Sequence, residues 1–188
     1  MQQILESNTL LDEALKTELD AGADALAAGK IEAARETADS LLTKAGNTYE
    51  VLQFAGVVAL SENRANIAAD YFKRALSVCR VPLKMARTWH GLGIALNQMG
   101  DQNQACDAFA RAVQAHPGNL VSILEWANTL GAMNRLVEAE AILRKAMSRF
   151  PDDTRIPIML GNILTAQNRQ ADALQIYDNV LEKHSDSA

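Results

Sequence analysis

Two columns of residues recur in step along this 188-residue chain. An alanine stands at Ala34, Ala68, Ala105, Ala139 and Ala173, and a glycine or asparagine at Gly29, Asn63, Gly100, Asn134 and Asn168. Both columns run at intervals of 34, 37, 34 and 34. Glycine and asparagine are the residues that enter the left-handed backbone region most readily, and helices commonly end there. A fixed period of this length marks a stack of repeated supersecondary units. Each unit is too small to bury its own apolar face and does so against its neighbours.

The best-formed unit is Ala86–Asn119. Trp89, Leu92, Gly93 and Leu96 fall at i, i+3, i+4 and i+7, one face of a 3.6-residue period. Ala105, Phe109, Ala112 and Val113 repeat the pattern after Gly100, and Pro117-Gly118 closes the unit. The string Trp89-x-x-Leu92-Gly93-x-x-Leu96, Ala105-x-x-x-Phe109 and Pro117 resembles a tetratricopeptide repeat (TPR), with Leu96 where that pattern has tyrosine. The resemblance implies an all-α fold, a right-handed superhelical α-solenoid of five TPR helix-turn-helix hairpins.

The expected repeats are 15–48, 49–82, 86–119, 120–153 and 154–187, one domain spanning 15–187, with 1–14 as a capping segment. Met1–Glu6 is expected to fray. Ser7, Asn8 and Thr9 are N-cap types, and they are expected to start a helix carrying Leu11, Leu15, Leu19 and Leu26. The first repeat departs most from the pattern, with Glu18 where an apolar residue belongs. Asn47 and Glu50 have capping-box spacing ahead of the second repeat. Leu83, Lys84 and Met85 are extra; with Pro82 suited to a first helical turn, they are expected to lengthen the next helix and alter the local stacking angle. Gly22, Gly56, Gly93 and Gly161, with Ala127 as the exception, are expected where the two helices of a hairpin cross.

Charge and motif content exclude several function classes. A net charge of −5 disfavours a general grip on nucleic acid or anionic membrane. No apolar run approaches the ~20 residues of a membrane helix, and the N-terminus lacks a secretory signal's pattern, so a cytoplasmic location is the default expectation. Cys79 and Cys106 have neither metal nor redox spacing. His90, His116 and His184 lack partners at ligand spacing, and Trp89 and Trp126 read as core residues. Gly91-Leu92-Gly93 lies inside a helix with no strand before it, so it is no nucleotide loop. Glu138, Glu140, Arg144 and Lys145 read as a solvated, i,i+4-paired face. No catalytic, cofactor-binding or metal-binding residue is expected.

What the resemblance leaves is the concave surface, where the family's first helices line a groove. Carried onto this chain, the groove residues are Phe54; Arg87, His90 and Ile94; Leu124 and Asn128; and Arg155, Met159 and Asn162, with Val57, Asn97, Val121 and Glu125 beside them. Asparagines offer a donor and an acceptor to an extended peptide backbone, and arginines suit carboxylates. The family's chaperone-tail clamp of lysines and asparagines is not reproduced. The expected function is a non-catalytic scaffold or adaptor that binds a protein or peptide. The alternatives are a recognition domain of a larger enzyme and a self-assembling scaffold. The last is raised by Leu174, Ile176, Tyr177, Val180 and Leu181, an apolar face in the final hairpin that would serve a homo-oligomer.

Overall fold

The computed structural model describes residues 12–185, with side chains through residue 182. Among the described residues there are ten α-helices and no strand: α1 (Glu13–Ala27), α2 (Ile31–Ala45), α3 (Tyr49–Ser61), α4 (Ala65–Val78), α5 (Pro82–Gln98), α6 (Gln102–Ala115), α7 (Leu120–Ala132), α8 (Leu136–Arg149), α9 (Arg155–Ala166) and α10 (Gln170–Ser185). They pair as five hairpins, each packed on the next in chain order. α1 approaches α3, α3 approaches α5 and α7 approaches α9, with no comparable approach between even-numbered helices. The solenoid therefore curves with its odd-numbered helices inside.

The glycine/asparagine column is the hairpin turn. Gly29, Asn63, Gly100, Asn134 and Asn168 have φ of 74°, 59°, 81°, 59° and 61°. In each turn the next residue's N–H reaches back five residues: Lys30 to Ala25, Arg64 to Ala59, Asp101 to Leu96, Arg135 to Leu130 and Arg169 to Leu164, all at 2.8–2.9 Å. These bonds satisfy carbonyls that a helix end otherwise leaves open. Each alanine of the second column is 2 % exposed or less.

Helix crossings depend on missing side chains. A Cβ at Gly56 would stand 2.6 Å from the Phe72 ring, one at Gly93 2.5 Å from Phe109, and one at Gly161 2.4 Å from Tyr177. In the fourth hairpin the equivalent pair is Ala127 and Leu143, a larger residue facing a smaller one, both fully buried. The first hairpin differs. Ala38 holds the place of the aromatic, and the space is filled from the next hairpin by Phe54, whose Cζ lies 2.7 Å from a Cβ built on Gly22.

Three apolar clusters run along the stack and straddle hairpin boundaries. The first joins α1 and α2 to α3, the second is centred on Phe72 and Phe109, and the third runs from Cys106 to Ala173. Tyr71 is shared by the first two and Trp126 by the last two. Both tryptophans are half-buried, and the Arg111 guanidinium lies 4.8 Å over the Trp89 ring.

Helix starts depart from expectation in two places. α1 is capped by Asp12, whose Oδ1 accepts the Leu15 N–H at 2.8 Å. Ser7, Asn8, Thr9 and Leu11 lie outside the described residues, as does Met1–Glu6. The Asn47–Glu50 box does not form: Thr48 is the N-cap of α3, and Glu50 accepts from Lys84 Nζ at 2.6 Å. A carboxylate facing an ammonium from the next hairpin is better used there than on its own helix start. That lysine belongs to the three extra residues. They lengthen α5 to 17 residues, against 13 in α3 and α7, with Pro82 at its first turn. The extra turn docks on α3, where the Tyr49 hydroxyl donates to the Lys84 carbonyl at 2.9 Å. Glu18, the polar residue at an apolar place, accepts from Ser40 Oγ at 2.6 Å and Lys44 Nζ at 2.7 Å, tying α1 to α2.

Because packing is between neighbours, damage in the middle divides the array. Phe109 is fully buried against Gly93 and beside His90. Phe109→Ala is expected to cost about 3–5 kcal/mol and to turn denaturant unfolding, followed by circular dichroism, into a broad or two-step transition. A single sharp transition at unchanged midpoint would contradict nearest-neighbour packing.

Candidate functional site

The inner face is built from equivalent positions of the odd helices. One row is Glu50, Arg87, Val121 and Arg155; a second is Gln53, His90, Leu124 and Ile158; a third is Val57, Ile94, Asn128 and Asn162. The structure places the expected groove residues unevenly. Arg87, Asn128, Arg155 and Asn162 are exposed, while His90, Ile94, Leu124 and Met159 are half-buried. Phe54 is a correction. It is 7 % exposed and belongs to the core, because Gly22 and Ala38 leave the hole that its ring fills.

Four of the expected residues meet in one place. Asn128, Arg155, Met159 and Asn162 line a cleft of about 450 Å³ between α7 and α9, closed by Leu136, Ile158 and Ile163. Ile158, exposed between Arg155 and Asn162, was not among the expected groove residues, although its i−3 and i+4 neighbours were. Gly131 and Ala132 give the cleft its room by presenting little or no side chain.

The polar groups around the cleft differ in freedom. Arg155 is held by Asp153, its Nη2 donating to Oδ2 at 2.7 Å, and this pairing keeps the Asp153 carboxyl below the usual carboxylate range. The Tyr177 hydroxyl donates to Asn162 Oδ1 at 2.8 Å. The carbonyl side of that amide is therefore committed to the protein and its NH2 is left to donate elsewhere. In the other hairpins the equivalent of Tyr177 is Phe72, Phe109, Leu143 or Ala38, so this anchor occurs once.

Further up the groove, two inner-face positions meet across each junction. Gln53 Oε1 accepts from Thr88 Oγ1 at 2.8 Å between the second and third hairpins. At the equivalent place between the third and fourth, His90 Nδ1 lies 3.0 Å from Ser122 Oγ. The same two places hold Leu19 and Val51 at the first junction and Leu124 and Ile156 at the last. Polar pairs thus lock the middle junctions and apolar pairs form the outer ones. Asn97 Nδ2 adds a bond to Thr129 Oγ1 at 2.8 Å.

Elsewhere chemistry is sparse. Among the described residues no group of three or more His, Cys, Asp or Glu is arranged to hold a metal ion. Cys79 and Cys106 are buried free thiols; Cys106 Sγ lies 3.8 Å from Met133 Sδ, and burial pushes its thiol pKa up. His116 is exposed, and the side chain of His184 lies outside the described residues. Arg144 pairs with Glu140 at 2.8 Å, and Glu140 also holds Arg169 of the next hairpin at 2.8 Å. No described helix is long and apolar enough to cross a membrane.

An all-α stack of hairpins with an inner groove defines a helical-repeat solenoid. Models of the tetratricopeptide repeat family match residues 88–119 and 130–188. The chain is a TPR protein, with the right-handed superhelical solenoid of that family. Its fold is similar to that of the MamA protein, with a TM-score of 0.79 and 19 % identity over 93 % of this chain and 94 % of that one. It is also similar to YrrB, a TPR protein with an unusual peptide-binding site, with a TM-score of 0.71 and 17 % identity over 88 % of this chain and 84 % of that one. In sequence it is 25 % identical over 163 residues to cellulose synthase operon protein C of Pseudomonas fluorescens (strain SBW25). That match covers 83 % of this chain but only 13 % of the relative's length.

His90 connects the groove to pH. Burial lowers its pKa from the ordinary 6.5, with Glu125 partly opposing. A base whose pKa is depressed on folding binds more protons when unfolded, so stability falls as pH drops through 6.5 toward the folded value. The melting midpoint is expected to decline from pH 7 to pH 5. His90→Gln, which installs the residue found at the equivalent Gln53 position, should flatten that decline; an unchanged slope would remove His90 as its source.

Proposed function

We propose that this chain is a non-catalytic scaffold or adaptor that binds a protein or extended peptide along its inner face, with the cleft between α7 and α9 as the principal contact. The observation that carries this reading is the cleft itself. Its walls are aliphatic, and a few polar groups converge on it: Asn128, the free NH2 of Asn162 and the guanidinium of Arg155. Such a cleft takes an apolar side chain while the amides hold the neighbouring backbone. The fold's likeness to YrrB, a TPR protein with a peptide-binding site, supports the same reading. The net charge of −5 argues against nucleic acid as the ligand.

In affinity capture with mass spectrometry, Asn128→Ala/Asn162→Ala is expected to lose the partners retained by the wild type while melting within a few degrees of it. Unchanged capture would remove the groove reading.

A second reading, self-assembly, is supported by the last helix. Leu174 and Leu181 are 61 % and 67 % exposed, whereas their equivalents in the preceding hairpins, Cys106 and Met147 among them, pack against the next unit. Light scattering across a concentration series should show a mass increase that Leu174→Asp/Leu181→Asp abolishes. A strict monomer at every concentration would dismiss it.

A further inference from the structure

The chain's charge is not evenly spread. Residues 71–100 hold five of its 18 lysines and arginines and none of its 23 acids. This stretch forms the end of α4, the connection and α5, which the extra turn makes longer than its counterparts by about 5 Å. At that projecting edge three aliphatic side chains lie in water: Val78, the last residue of α4; Val81, the N-cap of α5; and Leu83, in the first turn of α5, at 42 %, 49 % and 59 % exposure. Arg80 sits among them. Its Nη1 donates to the carbonyls of Cys79, Ser77 and Leu76 at 2.8, 3.0 and 3.2 Å, all neutral partners, so its charge stays uncompensated. Arg87 follows Leu83 by one turn on the same face, and among the described residues it makes no ion pair. Only Lys84, paired with Glu50, and Arg74, 3.9 Å from Asp70, have their charge answered.

We propose that this edge is a second docking surface, adjoining the inner face at Arg87 and separate from the cleft between α7 and α9, for an acidic, aliphatic- or aromatic-bearing segment of a partner protein. Charge complementarity selects the occupant. Uncompensated arginines beside exposed aliphatics match carboxylates interleaved with apolar side chains. An anionic bilayer fits less well, because the rest of the chain carries 13 cations against 23 acids and would be repelled from it, and the edge has no exposed tryptophan or phenylalanine to insert.

The test uses three 16-residue synthetic peptides with the same leucines and phenylalanines, interleaved with glutamate, glutamine or lysine, and measures binding by fluorescence anisotropy. Wild type is expected to bind the glutamate peptide at least about tenfold tighter than the glutamine one, an advantage that weakens as salt is raised. Arg80→Glu and, separately, Val81→Ser/Leu83→Ser should each reduce that affinity about tenfold. Arg80 also caps α4, so its variant is read beside its melting curve; serine at 81 suits an N-cap and keeps the second variant folded. Asn128→Ala/Asn162→Ala should leave this binding intact, which separates its failure from failure of the groove reading. Four results would overturn the proposal. They are no preference for the glutamate peptide, equal binding by the edge variants, wild-type sedimentation with phosphatidylserine vesicles that Val81→Ser/Leu83→Ser loses, and self-association that the same variant abolishes.

Discussion

The whole array depends on how closely the two helices of a hairpin approach. That distance is set where a glycine backbone lies against a ring: Gly56 on Phe72, Gly93 on Phe109 and Gly161 on Tyr177. Any Cβ there would fall well inside van der Waals contact, so either the helices would part or the ring would move, and dense interiors accommodate neither cheaply. Because the hairpins stack on one another, a change in one crossing angle passes into the placement of the next odd helix, and so into the groove. Gly91 extends the same device between hairpins, since a Cβ there would stand 2.6 Å from Phe72. One phenyl ring is thereby clasped by backbone from two consecutive repeats.

Local chemistry was legible in the sequence and cross-repeat chemistry was not. The turn column could be read because a left-handed φ needs glycine or asparagine wherever it occurs, and all five positions have it. The alanine column could be read because its requirement, smallness at a crossing, is the same in every copy. Phe54 misled because its position is decided by a vacancy 32 residues earlier: at its own helical position it looks like a groove residue, and only Gly22 and Ala38 make it core. Glu50 misled for the same reason, its partner Lys84 lying 34 residues on. For the cleft, periodicity picks out Asn128, Arg155 and Asn162, but not the bond from Tyr177 that orients one amide, nor the room that Gly131 and Ala132 leave.

The inner face is accordingly two surfaces. Toward the N-terminus it is sealed: Phe54 is core, Gln53 is bonded to Thr88, and Glu50 and Lys84 neutralise one another. Toward the C-terminus it opens, and apolar wall, amide and guanidinium lie within one cleft. The extra turn of α5 falls between the two. It spends its polar groups on α3 and leaves Leu83 exposed. The insertion that interrupts the 34-residue period thus lies between the part of the inner face that is paired off and the part that holds the cleft.

The alternation of polar and apolar pairs between odd helices bears on how the cleft can deform. Hydrogen bonds such as Gln53–Thr88 and His90–Ser122 are directional, so a slide of one helix along its neighbour by even an ångström weakens them steeply. The Leu124–Ile156 place carries no such penalty, since apolar contact is non-directional, and among the described residues α7 and α9 share no side-chain hydrogen bond. Between α7 and α9, therefore, sliding meets less resistance than separation, and the directional contact across that junction is the Glu140–Arg169 ion pair reached from α8. On its inner face the stack is thus bonded in the middle and packed by apolar contact at both ends, and the cleft lies at one of the two joints whose odd helices can shift along one another without breaking a hydrogen bond between them.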